Sequence, residues 1–417
     1  MPYAPKVGIQ ENLKEGWVAP TLSLDFSTGT LDPKITFTRS TTGTYVNSSG
    51  QIATAAINTP RFDYDPVTLQ PRGLLIEEQR TNLLLRSEQF DNAVWGIYGG
   101  SVTANAATSP EGTADADLFT YDTANASHGV DQVSTVTAAA QTFSVYIKPN
   151  GVQWVRLDPY GTASPGTDAV WFDIVNGVKG TQHANCTGTI TPAGNGWYRL
   201  TWTATTTAAG ITVSIRGASA DNSSASFLGD GVSGFYLWGT QLEAGSFATS
   251  YIPTAGSQVT RAADQASIVA PNFAPWYNQS EGTFVVEFST FKPTTTGATG
   301  LVIDASDGTI NNRHYLGVVS ASDEGRTAVG GATQASIIQA YAPNVTEKCG
   351  YAMKANDFAF ARNGSMVGTD TSGSMPTIDR MFIGNAAGIA AYLNGHVRSI
   401  KYYSTRLSNA KLAILSH

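Results

Sequence analysis

Short runs of strict apolar/polar alternation, broken by Gly, Pro or Asn, are the feature that most narrows the folds open to this chain. In "TFSVYIKP", Phe143, Val145 and Ile147 fall on one side and Ser144, Tyr146 and Lys148 on the other, the period of a strand with one buried face. "GWYRLTWTAT" places Tyr198, Leu200 and Trp202 together, with Trp197 and Arg199 opposite, and "GFYLWGTQLEAG" alternates Phe235 and Leu237 with Tyr236 and Trp238. "GTFVVEFSTF" repeats the pattern further on. Strands of this kind with turn residues between them predict β-sandwiches of the jelly-roll type. The composition agrees, since 42 glycines, 18 prolines and only 14% charged residues suit turns better than helices. One helix is expected, over "SNAKLAILS", with Ser408 or Asn409 as its cap.

A chain of 417 residues exceeds what one hydrophobic core usually serves. Three regions separate. Residues 1–82 read as an arm with hairpins: "ITFTR" and "TYVN" alternate, "NSSG" makes a turn before "QIATA", and Pro60, Pro66 and Pro71 forbid a continuing helix and disfavour central-strand pairing. Residues 83–256 form a first sandwich and residues 257–417 a second, the latter including a hairpin that turns on Asn363-Gly364 in "FAFARNGSMVG". Between arm and first sandwich lies "RGLLIEEQRTNLLLRSEQFDNAVW", residues 72–95, the densest mixture of charge and aliphatic side chains in the chain. It reads as the crossover, with Leu83, Leu84 and Leu85 entering a covered sheet as a strand. The adjacent Glu77 and Glu78 point to opposite faces and are expected to be solvated or salt-bridged at this junction.

The net charge of −7, without a Lys/Arg cluster, excludes nucleic acid as a natural partner. No apolar run reaches signal-peptide or membrane-span length, so a soluble protein made in a cytoplasm is expected. Cys186 and Cys349 are far apart and are expected to be buried free thiols. There is no His-Glu-x-x-His, Gly-x-Ser-x-Gly or Walker sequence. Gly229 to Gly234 match Gly-x-Gly-x-x-Gly literally, but a strand follows where a phosphate-binding helix would have to start, so a turn is expected. The histidines show no metal spacing. No cofactor is expected. Calcium is the one ion with candidate ligands, Asp221, Asn222 and Asp230 in one stretch and Asp304 and Asp307 in another, although Asp and Asn also favour turns on their own account.

The stronger signal is aromatic. Sugar rings present apolar C–H faces, and a site for them needs an exposed flat ring with polar groups at its edge. "QWVRLDPYG" supplies Trp154, Arg156, Asp158 and Tyr160 on one strand face, with Val155 and Leu157 on the other. Trp197 and Arg199, pointing away from Leu200 and Trp202, repeat the combination. The competing reading is that these rings pack against another strand, domain or subunit.

"LSLDFSTGTLDPKITFTRSTTGTYV", "NTPRFDYDPVTLQPRGLLIEEQRTNLLLRSEQFDNAVW", "GWYRLTWTAT" and "LWGTQLEAGSFATSYIPT" resemble a modular family of tail-fibre and head-spike proteins of tailed phages and phage-like gene transfer particles, over residues 20–262. "FAFARNGSMVGT" and "LNGHVRSIKYYSTRLSNAKLAILS" are more loosely similar to concanavalin A-like and laminin G-like sandwiches. The resemblance implies a virion appendage, often homotrimeric, that touches the host surface. The expectation is therefore an all-β adhesin: an N-terminal arm docks on other virion proteins, and two sandwiches bind host cell-surface polysaccharide without membrane insertion. The alternatives are a polysaccharide depolymerase using carboxylates among Glu243, Glu281 and Glu287, and an architectural protein with no ligand.

Overall fold

A computed structural model describes residues 18–163, 168–294, 299–387, 389 and 391–417. The chain is all-β, with its antiparallel sheets arranged as two sandwiches. In the first, six strands run in the order Cys186–Pro192, Tyr198–Thr205, Ala140–Asn150, Gly234–Ala244, Ala116–Tyr121 and Gly100–Ala107. Facing them are Val178–Gln182, Val170–Asp173, Trp154–Leu157, Ala209–Ala218, Gly129–Val136 and Gly96–Tyr98. Phe143, Val145, Ile147, Leu200 and Trp202 from one sheet meet Val155, Leu157, Val213 and Ile215 from the other. These are the inward residues that the alternation assigns.

The second sandwich has an eight-stranded and a seven-stranded sheet, and here the arm expectation is corrected. The N-terminal hairpin forms as read, with Gly43–Val46 paired to Ile52–Ala55. The strands around it, however, belong to the C-terminal sandwich: Leu22–Asp25 pairs with Gly395–Tyr403, Pro71–Ile76 with the same strand, and Thr36–Thr38 with Gln265–Ile268. The reason is hydrophobic. Leu22, Leu24, Phe26, Phe37, Leu74 and Ile76 share one core with Phe284, Val286 and Tyr402, and burying each large apolar side chain contributes about 1.5–3 kcal/mol. Phe62–Tyr64 lies at the sheet edge, but Pro71 opens the internal strand Pro71–Ile76, paired on both sides, so the prolines do not exclude central-strand pairing; as a strand's first residue Pro71 is tolerated there. Residues 1–17, the first part of the expected docking arm, lie outside the described residues.

The first sandwich is thus an insertion in the second. The chain leaves through Arg80–Asn82 and returns through Val259–Arg261, and the two pair as a ribbon, Arg80 opposite Arg261 and Asn82 opposite Val259. Leu83–Leu85 do not continue as a strand. Instead the Asn82 side chain satisfies the local backbone, its amide donating to the Thr240 and Ile252 carbonyls and its oxygen accepting from Leu84 and Leu242 N–H groups. Leu84 is buried in the first core.

At the root of this neck lies a buried charge network. Arg61 Nη1 is 2.8 Å from Glu77 Oε2, Arg39 Nη1 is 3.0 Å from Asp264 Oδ1, Arg61 also binds Asp264, and Arg261 Nη2 is 3.4 Å from Glu77. All five side chains are at most 1% exposed. Ser250 adds two hydrogen bonds to the Glu77 carboxylate, from its N–H at 2.7 Å and its hydroxyl at 2.6 Å. Burial alone would raise the Glu77 carboxyl, yet the Arg261 and Arg61 guanidiniums and the Ser250 donors hold it far below its ordinary value. The salt-bridged reading of Glu77 at a junction is what forms.

Other local expectations stand. Asn363 and Gly364 have φ of 46° and 81° in the hairpin turn, the left-handed pair that a two-residue turn of this type requires. Ser408 caps the helix Asn409–Leu415, its hydroxyl accepting from the Lys411 N–H. Cys186 and Cys349 are buried and free. The Ala140–Asn150 strand differs: it is buried on both faces through Ile147, because Trp197, Trp238 and Tyr251 cover the side on which Ser144 and Tyr146 lie.

Candidate functional site

The outer face of the sheet containing Trp154–Leu157 gathers the first four predicted residues. The inward side chains Val155 and Leu157 are fully buried, and alternation therefore sends Trp154, Arg156, Asp158 and Tyr160 outward together. Register extends the face sideways. Arg156 lies opposite Trp171 on one neighbouring strand and Arg216 on the other, Arg216 lies opposite Gly129, and Gly129 opposite Tyr98. A Cβ on Gly129 would come within 3.0 Å of the Tyr98 hydroxyl and 2.3 Å of the Ile215 carbonyl oxygen. The missing side chain leaves Tyr98 free to reach across the strand to Arg216.

Arg216 is the centre. Its guanidinium sits 5.5 Å from the Tyr98 ring centroid and 5.2 Å from that of Tyr160, within cation–π range of both. Its Nε donates to Tyr98 Oη at 2.9 Å and to Ser214 Oγ at 2.8 Å. Asp158 stands between two arginines, 3.4 Å from Arg156 Nη2 and 3.3 Å from Arg216 Nη1. Burial would lower the Arg216 pKa, but Tyr98 and Asp158 keep it raised. Burial, largest of the causes, and then Asp131 push the Tyr160 phenol up, so it stays protonated and donates to Asp131 Oδ2 at 2.8 Å. Tyr160 is 40% exposed. A flat ring thus faces solvent with a cation beneath it and two carboxylates at its edge, a surface suited to the C–H face and hydroxyls of a sugar.

Trp154 plays a different part from the stacking platform expected of it. It is half-buried against Ala169, Trp171 and Ala218, and Arg156 is buried with its guanidinium 5.9 Å from the Trp171 ring. These two support the face; Tyr160 presents it. Sequence reasoning missed Tyr98, Asp131 and Arg216, which come from distant strands. Arg216 was findable: in "ITVSIRGA" it is the only charge, and Val213 and Ile215 leave it the outward side.

Trp197 and Arg199 do not join this site. The outward-looking reading of Trp197 is corrected: it is 1% exposed, packed with Ile52, Trp238 and Tyr251, with Nε1 donating to the Thr108 carbonyl at 3.1 Å. The N-terminal hairpin, through Ile52, closes over that side of the sheet. Arg199 lies on the same sheet, its guanidinium 5.3 Å from the Tyr146 ring, and faces a cleft between the two sandwiches.

The remaining carboxylates are dispersed. Glu243 is buried and accepts hydrogen bonds from the Thr249 N–H and hydroxyl at 2.9 and 2.7 Å. Glu281 and Glu287 share a strand of the second sandwich, and six residues at about 3.4 Å each separate them by about 20 Å, beyond the roughly 5–10 Å of a glycosidase pair. Asp230 and Asp307 accept from N–H groups two residues ahead, Asp221 accepts from Thr181 N–H and hydroxyl, and Asp304 is buried beside Arg313. Asn222 adopts φ of 57° in a turn. Among the described residues, no group of three or more His, Cys, Asp or Glu is arranged to hold a metal ion.

No family model matches the chain, and no curated protein matches it. Among solved structures it is similar to the CBM40 domain of a Ruminococcus gnavus IT-sialidase bound to α2,3-sialyllactose, at 16% identity over 36% of this chain and 89% of that one, with a TM-score of 0.31. A structure of botulinum neurotoxin type C, whose cell entry depends on interaction with two ganglioside molecules, is similar at 11% identity over 37% of this chain and 39% of that one, TM-score 0.30. The heptameric SAP-like pentraxin of Limulus polyphemus is similar at 12% identity over 33% and 70%, TM-score 0.25. At such scores no function carries over; the sandwich assignment stands on the sheet topology.

Proposed function

We propose that this chain is a non-catalytic glycan-binding protein, an appendage of a phage or phage-like particle that engages host surface polysaccharide through the outer face centred on Arg216. The observation that carries the binding reading is the Arg216 guanidinium held between the Tyr98 and Tyr160 rings, with Asp158 and Asp131 at the rim. Stacking on the exposed Tyr160 ring and bidentate hydrogen bonds to hydroxyls are the ordinary means of holding a neutral sugar in a shallow site. The virion setting rests on the resemblance of residues 20–262 to phage spike and fibre phrases. A homotrimer belongs to the same proposal, because several weak sites on a closed oligomer bind far more tightly than one; a monomeric mass by light scattering of the full chain would remove that part.

Retention of purified protein on host surface polysaccharide tests the site. Tyr160→Ala is expected to weaken retention about tenfold, as loss of a contact aromatic costs about 1–2 kcal/mol. A bound polymer of unchanged length separates retention from depolymerisation. Unaltered retention in a folded Tyr160→Ala protein would sink the assignment of this face.

A further inference from the structure

Arg199, left aside by the face above, opens onto a cleft of about 750 Å³ between the sandwiches, a size ordinary for a ligand site. One wall is the outer side of the sheet carrying Tyr198–Thr205, where register lines up three rows across adjacent strands: Thr203 and Thr187; Thr201 and Thr189; Tyr146, Arg199 and Thr191. The Thr189 and Thr201 hydroxyls are hydrogen-bonded to each other at 2.7 Å, and Thr187, Thr189 and Thr191 are exposed. The opposite wall comes from the second sandwich and includes Phe291, Asn344, His396 and Arg398.

The charges of the lining decide what fits. Asp63 is 2.8 Å from His396, Asp65 is 2.9 Å from Arg72, Glu77 belongs to the neck network, and Arg398 is 3.4 Å from Glu287. Among the described residues Arg199 has no carboxylate within ion-pair distance. Its Nη2 donates to Ser144 Oγ at 3.0 Å, its guanidinium lies on the Tyr146 ring, and its Nε is buried without a hydrogen-bond partner. Arg199 is half-buried and, among the described residues, without a counter-ion, and the planar fork of a guanidinium is matched by a carboxylate.

We propose that the cleft is a second saccharide site, selective for acidic sugars: a uronate carboxylate meets Arg199 and the hydroxyls of the chain meet the threonine rows. It uses the opposite sheet from the Tyr160 face and stands or falls separately from it. Calorimetric titration of the full chain with galacturonate hexamer, against maltohexaose as the neutral counterpart, tests it. The acidic oligomer is expected to bind about tenfold more tightly than the neutral one, with Arg199→Ala abolishing that difference and Tyr160→Ala leaving it intact. Arg398→Ala, at a residue 41% exposed in its side chain, is expected to weaken the acidic oligomer about threefold and keeps the test open should Arg199→Ala not fold. No binding of the acidic oligomer, equal affinity for the two sugars, or an effect of Tyr160→Ala in place of Arg199→Ala would overturn the assignment.

Discussion

Two arginine clusters in this molecule use the same residue types to opposite ends. At the neck, Arg39, Arg61 and Arg261 are matched by Glu77 and Asp264, with every side chain at most 1% exposed. On the outer face, Arg156 and Arg216 share the single carboxylate of Asp158, lie on aromatic rings and keep 7% and 20% of their side chains in solvent. A buried network of this kind spends its charges on its own partners and fixes geometry. A partly paired one beneath an exposed ring still has bonding capacity facing outward.

The contrast breaks most severely at the neck. Glu77→Ala strips the carboxylate from Arg61 and Arg261 and is expected to cost about 3–5 kcal/mol, because it leaves buried charge unpaired; chemical denaturation measures it. The same carboxylate sets a pH dependence. Its folded pKa lies below the unfolded one, so its contribution is complete above the ordinary glutamate range and is lost as pH falls from about 4.5. Wild type should therefore lose stability on acidification more steeply than Glu77→Gln. Trp197→Ala, emptying the ring pocket under the N-terminal hairpin, is expected to cost about 3–5 kcal/mol with no independent effect on sugar retention at temperatures where the protein stays folded. Tyr160→Ala reverses that pattern, losing about 1–2 kcal/mol of binding while its melting temperature barely moves. Last is Asp158→Asn: its side chain is 17% exposed and its carboxylate serves both Arg156 and Arg216, so the neutral isostere should cost about 1 kcal/mol, and a shift as large as that of Glu77→Ala would erase the distinction between the clusters.

The strands were legible in the sequence wherever one face meets a core, as in Phe143, Val145 and Ile147, since period-two alternation is a local signal. So was the placement of Trp154, Arg156, Asp158 and Tyr160 on one side. What alternation leaves open is whether the second face meets water, and there Trp197 went astray: the ring is covered by Ile52, a residue 145 positions earlier by its number, and nothing in "GWYRL" announces it. Arg216 and Tyr98 joined the site only through register across strands, with Gly129 making the gap. The N-terminal strands misled for a related reason. Their phrases are turn-rich and short, so they read as an arm, while the apolar partners that capture Leu22 and Leu74 lie near the other end of the sequence.

That distant pairing shapes how the molecule is made. Thr21 donates to the carbonyl of Tyr402, 381 residues away, so the strand Leu22–Asp25 has no lasting neighbour until Gly395–Tyr403 has emerged. The inserted sandwich closes earlier, its strands all lying between Gly96 and Ala244. Late closure of such contacts slows folding, and strand edges that wait unpaired invite aggregation. During synthesis the distal module is thus finished while its base is still open, and the final strands, arriving with Gly395–Tyr403, act as the keystone that converts a waiting hairpin and loose edge strands into the platform from which that module stands.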